Sequence, residues 1–181
     1  MMIDKSWTLF LDRDGVLNED NVGGYVLSVE ELQLFDGVTE AMRKFSGIFG
    51  TIVVVTNQRS VGKGLLTLEE LHRMNAQILE WINEKGGRID KFYYAPDLED
   101  DAFNRKPNIG MALQAKKDFP NIDFSKSIMV GNNLSDMQFA RNAGIAKSVF
   151  LTTTVHDLEF PHALIDKNFE TLKKFADSLN D

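Results

Sequence analysis

Five short apolar runs recur along the chain, separated by longer stretches in which apolar residues fall three and four positions apart. The runs are Trp7–Leu11, Thr51–Val55, Ile89–Tyr94, Ser127–Val130 and Ser148–Leu151. They are rich in β-branched and aromatic residues and continuously apolar rather than alternating, the pattern of strands covered on both faces. Between them, Thr67-Leu68-Glu69-Glu70 fits a capping box, and Leu71, Met74, Ile78 and Ile82 share a helix face that ends at Gly86-Gly87. Asn108 is placed to cap a helix over Ile109–Lys117. Ser135, or the residues just before it, opens another running to Asn142-Ala143-Gly144, and a last helix is expected from Phe169 to Leu179. The pattern predicts an α/β fold: a doubly wound, Rossmann-like parallel sheet of about five strands with helices on both faces. No Pro/Gly/Ser-rich linker and no internal repeat divides the sequence, so residues 1–181 are expected to form one domain.

Composition narrows the function classes. The formal net charge of −7 argues against a general nucleic-acid binder, which needs clustered Lys and Arg to replace phosphate counterions. With no cysteine, neither a disulfide nor a cysteine-based zinc site can form, and no zinc is expected. The apolar stretch near the N-terminus is cut off at Asp12, too early for a signal-peptide core. No apolar run approaches the roughly 20 residues of a membrane span. A cytoplasmic protein with neither membrane nor nucleic-acid partners is expected; the sequence is silent on oligomeric state.

In open parallel sheets ligands bind beyond the carboxyl ends of the strands, so the residues that follow each strand matter most. After the first strand comes Asp12-Arg13-Asp14-Gly15, after the second Thr56-Asn57-Gln58-Arg59, and after the fourth Gly131-Asn132-Asn133-Leu134-Ser135-Asp136; Arg105-Lys106-Pro107 precedes Ile109. Asp12 and Asp14 project to the same side of an extended chain, and two close carboxylates call for a cation, a shared proton or both. Alone, such a pair also fits a solvated turn. Its position, closing an apolar strand ahead of Gly15, favours a reaction centre.

These four segments, in this order, resemble the four motifs of the haloacid dehalogenase superfamily: Leu9 to Asn18, Val53 to Gln58, Arg105-Lys106-Pro107, and Met129 to Met137. Asn18-Glu19-Asp20, Gly24-Tyr25-Val26, Phe35-Asp36-Gly37-Val38 and Phe92-Tyr93-Tyr94-Ala95-Pro96 are similar to the heptose 1,7-bisphosphate and histidinol-phosphate phosphatase branch. The resemblance implies an aspartyl-phosphate mechanism. Asp12 would be the nucleophile and Asp14 the general acid and base, with Thr56 donating to a phosphoryl oxygen and Lys106 neutralising charge. Mg²⁺ would be held by Asp12, the Asp14 carbonyl, Asn132 and Asp136. Substrate contacts are expected from Asn18, Asn57, Gln58, Arg105 and Asn133, although an exposed salt bridge would account for Arg105 equally well. The short spacing between the first two motifs leaves no room for a separate cap domain.

Three departures bear on function. The fourth motif of the family normally opens Gly-Asp, where this chain has Asn132, an amide in place of a charged metal ligand. Asn133 stands where a lysine is common, and the acidic stretch Ala95–Asn104 replaces the zinc loop of the branch; it reads as a solvated loop rather than a calcium site. The expected function is a magnesium-dependent phosphomonoesterase acting on a small phosphorylated metabolite, such as a heptose bisphosphate. The alternatives are a histidinol-phosphate phosphatase, or a catalytically weakened member that binds phosphate or a protein. The loop Val16–Val29, made mobile by Gly23 and Gly24, should discriminate among substrates. His72, His156 and His162 are read as surface or packing residues, and Trp7 and Trp81 as core.

Overall fold

The computed structural model describes residues 2–154 and 157–179. Six parallel strands form one sheet: β1 (Thr8–Leu11), β2 (Thr51–Asn57), β3 (Lys91–Ala95), β4 (Ser127–Gly131), β5 (Lys147–Leu151) and β6 (Lys167–Phe169), in the order β3-β2-β1-β4-β5-β6. The helices are α1 (Val38–Ile48), α2 (Arg59–Gly62), α3 (Leu68–Glu84), α4 (Gly110–Asp118), α5 (Leu134–Ala143) and α6 (Leu172–Ser178). Among the described residues, none is long and apolar enough to cross a membrane.

Alternate residues of each strand serve opposite faces, which is why the central strands β1, β2 and β4 are buried almost throughout and read as apolar runs. Leu9, Leu11, Ile52, Val54, Ile128 and Val130 pack with Phe45 of α1, Leu71 and Ile78 of α3 and Phe175 of α6. Phe10, Val53, Val55 and Met129 pack on the other face with Met111 of α4 and Phe139 of α5. Trp7 is buried in the first of these cores and Trp81 packs against it. The chain leaves β1 toward β2 and β3, then crosses to β4, so β1 and β4 flank the point where successive connections diverge. Loops at that point splay apart and leave a crevice above the strand ends.

The expected cap on α3 is present: Thr67 Oγ1 accepts the Glu70 N–H. Asn108 does not cap α4. Its amide donates to the Ala102 carbonyl at 2.9 Å, and the helix starts at Gly110 behind Ile109. Phe169 belongs to β6 rather than to the last helix, which Thr171 caps through the Lys174 N–H. β6 is a sixth strand beyond the five expected; at three residues and largely exposed, it carries no apolar run. Between β1 and α1 the chain forms a loop. Its ends are tied by Glu19 N–H to Gln33 O and Phe35 N–H to Leu17 O, with Leu17, Val26 and Leu32 buried beneath it.

Candidate active site

Asp12 follows β1 directly and continues its ladder, donating its backbone N–H to Val130 O at 3.0 Å. The chain then turns at Gly15, where φ is +83° and a Cβ would lie 2.0 Å from Asn132 Nδ2. Both the left-handed conformation and the space require glycine, and the turn is thereby pressed against the end of β4. Lys106 Nζ sits between two carboxylates, 3.0 Å from Asp12 Oδ1 and 2.6 Å from Asp136 Oδ1. All three side chains are buried. Asp136 Oδ2 accepts the N–H groups of Asn132 and Asn133 at 3.1 and 3.0 Å, at the start of α5.

One ammonium thus serves two buried carboxylates. Burial and the neighbouring Asp136 charge push Asp12 up to about 7, against the pull of Lys106. Burial alone would lower the proton affinity of Lys106, but Asp12 and Asp136 outweigh it and hold the ammonium above the ordinary lysine value. The Arg13 N–H and Lys106 both contact Asp12 Oδ1, so Oδ2 has no hydrogen-bond partner among the described residues.

Asp14 is held by a different set. Its Oδ1 accepts from Arg13 Nη2 at 3.0 Å and Asn18 Nδ2 at 2.9 Å, and its Oδ2 accepts from Gln58 Nε2 at 2.8 Å. Burial pushes Asp14 upward, but the Arg13 charge and the hydrogen bonds from Asn18, Arg13 and Gln58 prevail and keep it below the usual carboxylate value. Arg13 is fully buried and donates Nη1 to Asn75 Oδ1 at 3.1 Å, reaching across to α3. Replacing Asn75 by Leu, which strands a buried guanidinium N–H, is expected to cost about 1–3 kcal/mol in urea denaturation. A loss within 0.3 kcal/mol of zero would show that Arg13 does not depend on this acceptor.

The expected site residues divide by what they touch. Asp12, Asp14, Lys106, Asn132 and Asp136 converge on the ends of β1 and β4. Thr56 is buried at the end of β2, where its Oγ1 accepts from Gln58 Nε2 at 3.0 Å. Three residues expected to touch substrate are turned inward instead. Asn18 is fully buried against Asp14; Gln58 bridges Asp14 and Thr56; the Asn57 amide is spent on the backbone of Lys106, accepting its N–H at 3.0 Å and donating to its carbonyl at 3.1 Å. Their amides hold the Asp14 and Thr56 side chains and the Lys106 backbone by hydrogen bonds, because short amides reach these groups from neighbouring strand ends. Asp136 also differs from the expected metal ligand: Lys106 and two backbone N–H groups occupy its two oxygens. Arg13 and Asn75 escaped the sequence reading. The one available signal was Asn75 itself, a polar residue beside Met74 on the apolar face of α3.

Asn133 is exposed and donates Nδ2 to Asn132 Oδ1 at 3.3 Å. Arg105 is half-buried near Asp100, a member of the acidic stretch, which also pairs with Arg59. His72 is exposed and edge-on to Tyr94, and His162 Nδ1 accepts the Leu164 N–H. His156 lies outside the described residues.

The donors around Asp12 suit a hard divalent cation. Among the described residues no three His, Asp or Glu side chains converge, so such an ion would rest on Asp12, the Asp14 carbonyl and the Asn132 amide oxygen, completed by water.

The polynucleotide kinase 3 phosphatase family profile matches residues 10–152. The chain belongs to that family of haloacid dehalogenase phosphatases. This phosphatase is 35% identical over 156 residues to the D-glycero-α-D-manno-heptose-1,7-bisphosphate 7-phosphatase of Campylobacter jejuni, covering 86% of this chain and 88% of that one. It is also 35% identical over 157 residues to the D-glycero-β-D-manno-heptose-1,7-bisphosphate 7-phosphatase of Photorhabdus laumondii, covering 80% of each chain. Its fold superposes with a TM-score of 0.82 and 25% identity on the crystal structure of D,D-heptose 1,7-bisphosphate phosphatase from B. bronchiseptica, complexed with magnesium and phosphate. That match covers 96% of this phosphatase and 97% of the other chain. These relatives place it in the heptose bisphosphate branch of the superfamily.

Proposed function

We propose that residues 1–181 form one phosphohydrolase domain that hydrolyses a sugar bisphosphate, of the heptose 1,7-bisphosphate kind, with magnesium and through an aspartyl phosphate on Asp12. The observation that carries the reading is the buried Asp12–Lys106–Asp136 cluster, with Asp12 Oδ2 without a hydrogen-bond partner among the described residues, beside a separately held Asp14. Magnesium, when bound, neutralises phosphoryl charge and helps keep Asp12 ionised; the magnesium and phosphate in the B. bronchiseptica enzyme support this choice.

Asp12 Oδ2 attacks phosphorus as the bond to the sugar oxygen breaks, and Asp14 delivers a proton to that oxygen. The dianionic phosphoryl group raises the proton affinity of Asp14 for this step, whereas the contacts from Arg13, Asn18 and Gln58 favour the ionised form afterwards. Ionised Asp14 then takes a proton from water, whose oxygen attacks phosphorus. The acyl phosphate bond breaks, releasing inorganic phosphate and restoring the Asp12 carboxylate. Lys106 offsets charge on Asp12 and on the phosphoryl oxygens, and Thr56 donates its hydroxyl to one of them.

The test is phosphate release from the α and β heptose 1,7-bisphosphates, the corresponding monophosphate and histidinol phosphate, with magnesium or with chelator. Because relatives named for the α and for the β bisphosphate are both 35% identical to this chain, both anomers belong in the panel. Magnesium-dependent release from a bisphosphate is expected; preference for histidinol phosphate would overturn the substrate assignment. Asn132→Asp adds a negative charge beside the ion and is expected to lower the magnesium concentration for half-maximal activity roughly tenfold. An unchanged magnesium requirement would remove Asn132 from the ligand set.

A further inference from the structure

Asn75 stands where the pattern of α3 calls for an apolar residue. It lies four positions after Leu71 and three before Ile78, both fully buried in the core, and is itself almost wholly buried. Its Oδ1 accepts Arg13 Nη1 at 3.1 Å, across 62 residues of chain. A buried amide on an apolar helix face costs stability unless its hydrogen bond is needed. The Arg13 side chain meets the reaction only through Asp14.

The guanidinium is planar and rigid, so contacts at its separate nitrogens fix it in its plane. Nε and Nη2 both donate to Asp14 Oδ1, at 3.3 and 3.0 Å, and Asn18 Nδ2 donates to the same oxygen at 2.9 Å. Two guanidinium donors converging on one oxygen leave the group able to pivot about that oxygen; the contact at Asn75 removes the pivot. With three donors upon it, Oδ1 has no lone pair left for a proton. Oδ2 accepts one hydrogen bond, from Gln58 Nε2 at 2.8 Å, and keeps a lone pair. The same Gln58 amide donates to Thr56 Oγ1 at 3.0 Å, so one group ties Oδ2 to the threonine. The two oxygens of Asp14 are therefore unequal: Oδ1 is the anchored end and Oδ2 the end able to carry a proton.

We propose that Asp14 delivers its proton from Oδ2, and that Asn75 is a positioning residue for this step, acting through Arg13. The assignment rests on the phosphatase reading above and deepens it. As the bond between phosphorus and the sugar oxygen breaks, its electron pair goes to that oxygen. The Oδ2–H bond breaks and the proton passes to the sugar, leaving Asp14 as the carboxylate that Arg13 and Asn18 hold at Oδ1. Proton transfer is sensitive to distance and angle, so a carboxyl group that turns with a pivoting Arg13 delivers its proton less well.

The competing explanation is a structural one, in which Asn75 merely satisfies a buried guanidinium N–H. That role lowers stability and affects turnover of every substrate alike. The leaving group separates the two, because a sugar alkoxide needs the proton whereas p-nitrophenolate and acetate depart without one. The measurement is kcat/KM of Asn75→Leu on heptose 1,7-bisphosphate, p-nitrophenyl phosphate and acetyl phosphate, with magnesium, under conditions where urea denaturation shows the variant folded. This ratio covers the steps through transfer to Asp12, so hydrolysis of the acyl phosphate, common to all three, does not enter. It is expected to fall roughly tenfold on the bisphosphate and less than twofold on the other two. Asn75→Met, unbranched and adaptable in packing, repeats the comparison if the leucine variant does not fold. Equal losses on the three substrates, or a bisphosphate value within twofold of wild type, would overturn the positioning role. The phosphatase reading fails separately, if the wild-type chain releases no phosphate from any of the three.

Discussion

Replacing Asp12 by Asn is expected to abolish turnover while making the metal-free protein more stable. Loss of the proposed nucleophile should lower kcat by on the order of 10⁴ or more, because the remaining groups would act only on an attack that no longer occurs. The stability effect follows from burial. In the folded state Asp12 titrates at about 7, above its ordinary value of 3.8, so between those values the folded chain holds more protons than the unfolded one. Its contribution therefore becomes steadily less favourable as pH rises through that window. Asn cannot ionise and does not repel Asp136. At pH 8 in chelator, Asp12→Asn is expected to exceed the wild type by on the order of 1–3 kcal/mol in urea denaturation, with the gap closing toward pH 4. A kcat within tenfold of wild type would remove Asp12 from the mechanism, and a gap independent of pH would remove its buried charge as the cause.

The second large effect is expected at Lys106. Its ammonium is shared by Asp12 and Asp136, and its raised proton affinity means that this contribution is present throughout the neutral range and is lost only above the ordinary lysine value. Lys106→Met leaves two buried carboxylates facing each other, a change worth about 3–5 kcal/mol. One of them must take a proton, so stability should recover as pH falls from 8 to 5, whereas removal of a merely packed side chain would cost the same at each pH. Phosphate release should fall by on the order of 10³ with the loss of the charge that we propose faces the phosphoryl group. Full activity in Lys106→Met, or a stability loss below about 1 kcal/mol, would contradict the shared-ammonium arrangement.

The two variants also separate the roles inside the cluster. Asp136 is engaged on both oxygens, so its work is to hold Lys106 and to close the turn at Asn132 and Asn133. That work explains why Gly131 precedes it: a Cβ there would lie 2.3 Å from the Asp136 side chain.

Much of this protein was legible in one dimension. Strands buried on both faces must be continuously apolar, so Trp7–Leu11, Thr51–Val55 and Ser127–Val130 announced the central strands, and the loops after them announced where polar residues would meet. The α3 cap was legible because Thr67 and Glu70 interact locally. Asp12, Asp14, Thr56 and Lys106 stood out because they follow strands or join motifs whose order is known. β6 was not legible, since a short edge strand of Lys167, Asn168 and Phe169 has no apolar signature and depends on β5 for its existence.

What only the tertiary structure decided is the partner of each polar side chain. Arg13 looks in sequence like a charged residue between two aspartates; burial against α3 turns it into a clamp on Asp14 through an acceptor at Asn75, 62 residues away. Asn18, Asn57 and Gln58 look like substrate contacts but spend their amides on Asp14 and on the backbone of Lys106. Asp100 looks solvated, yet its carboxylate sits between two arginines from different segments. Local pattern determines which face of an element is apolar, because that depends on the helix or strand period alone. Hydrogen bonds and ion pairs between distant segments depend on a few ångströms of three-dimensional placement, which no spacing along the chain encodes.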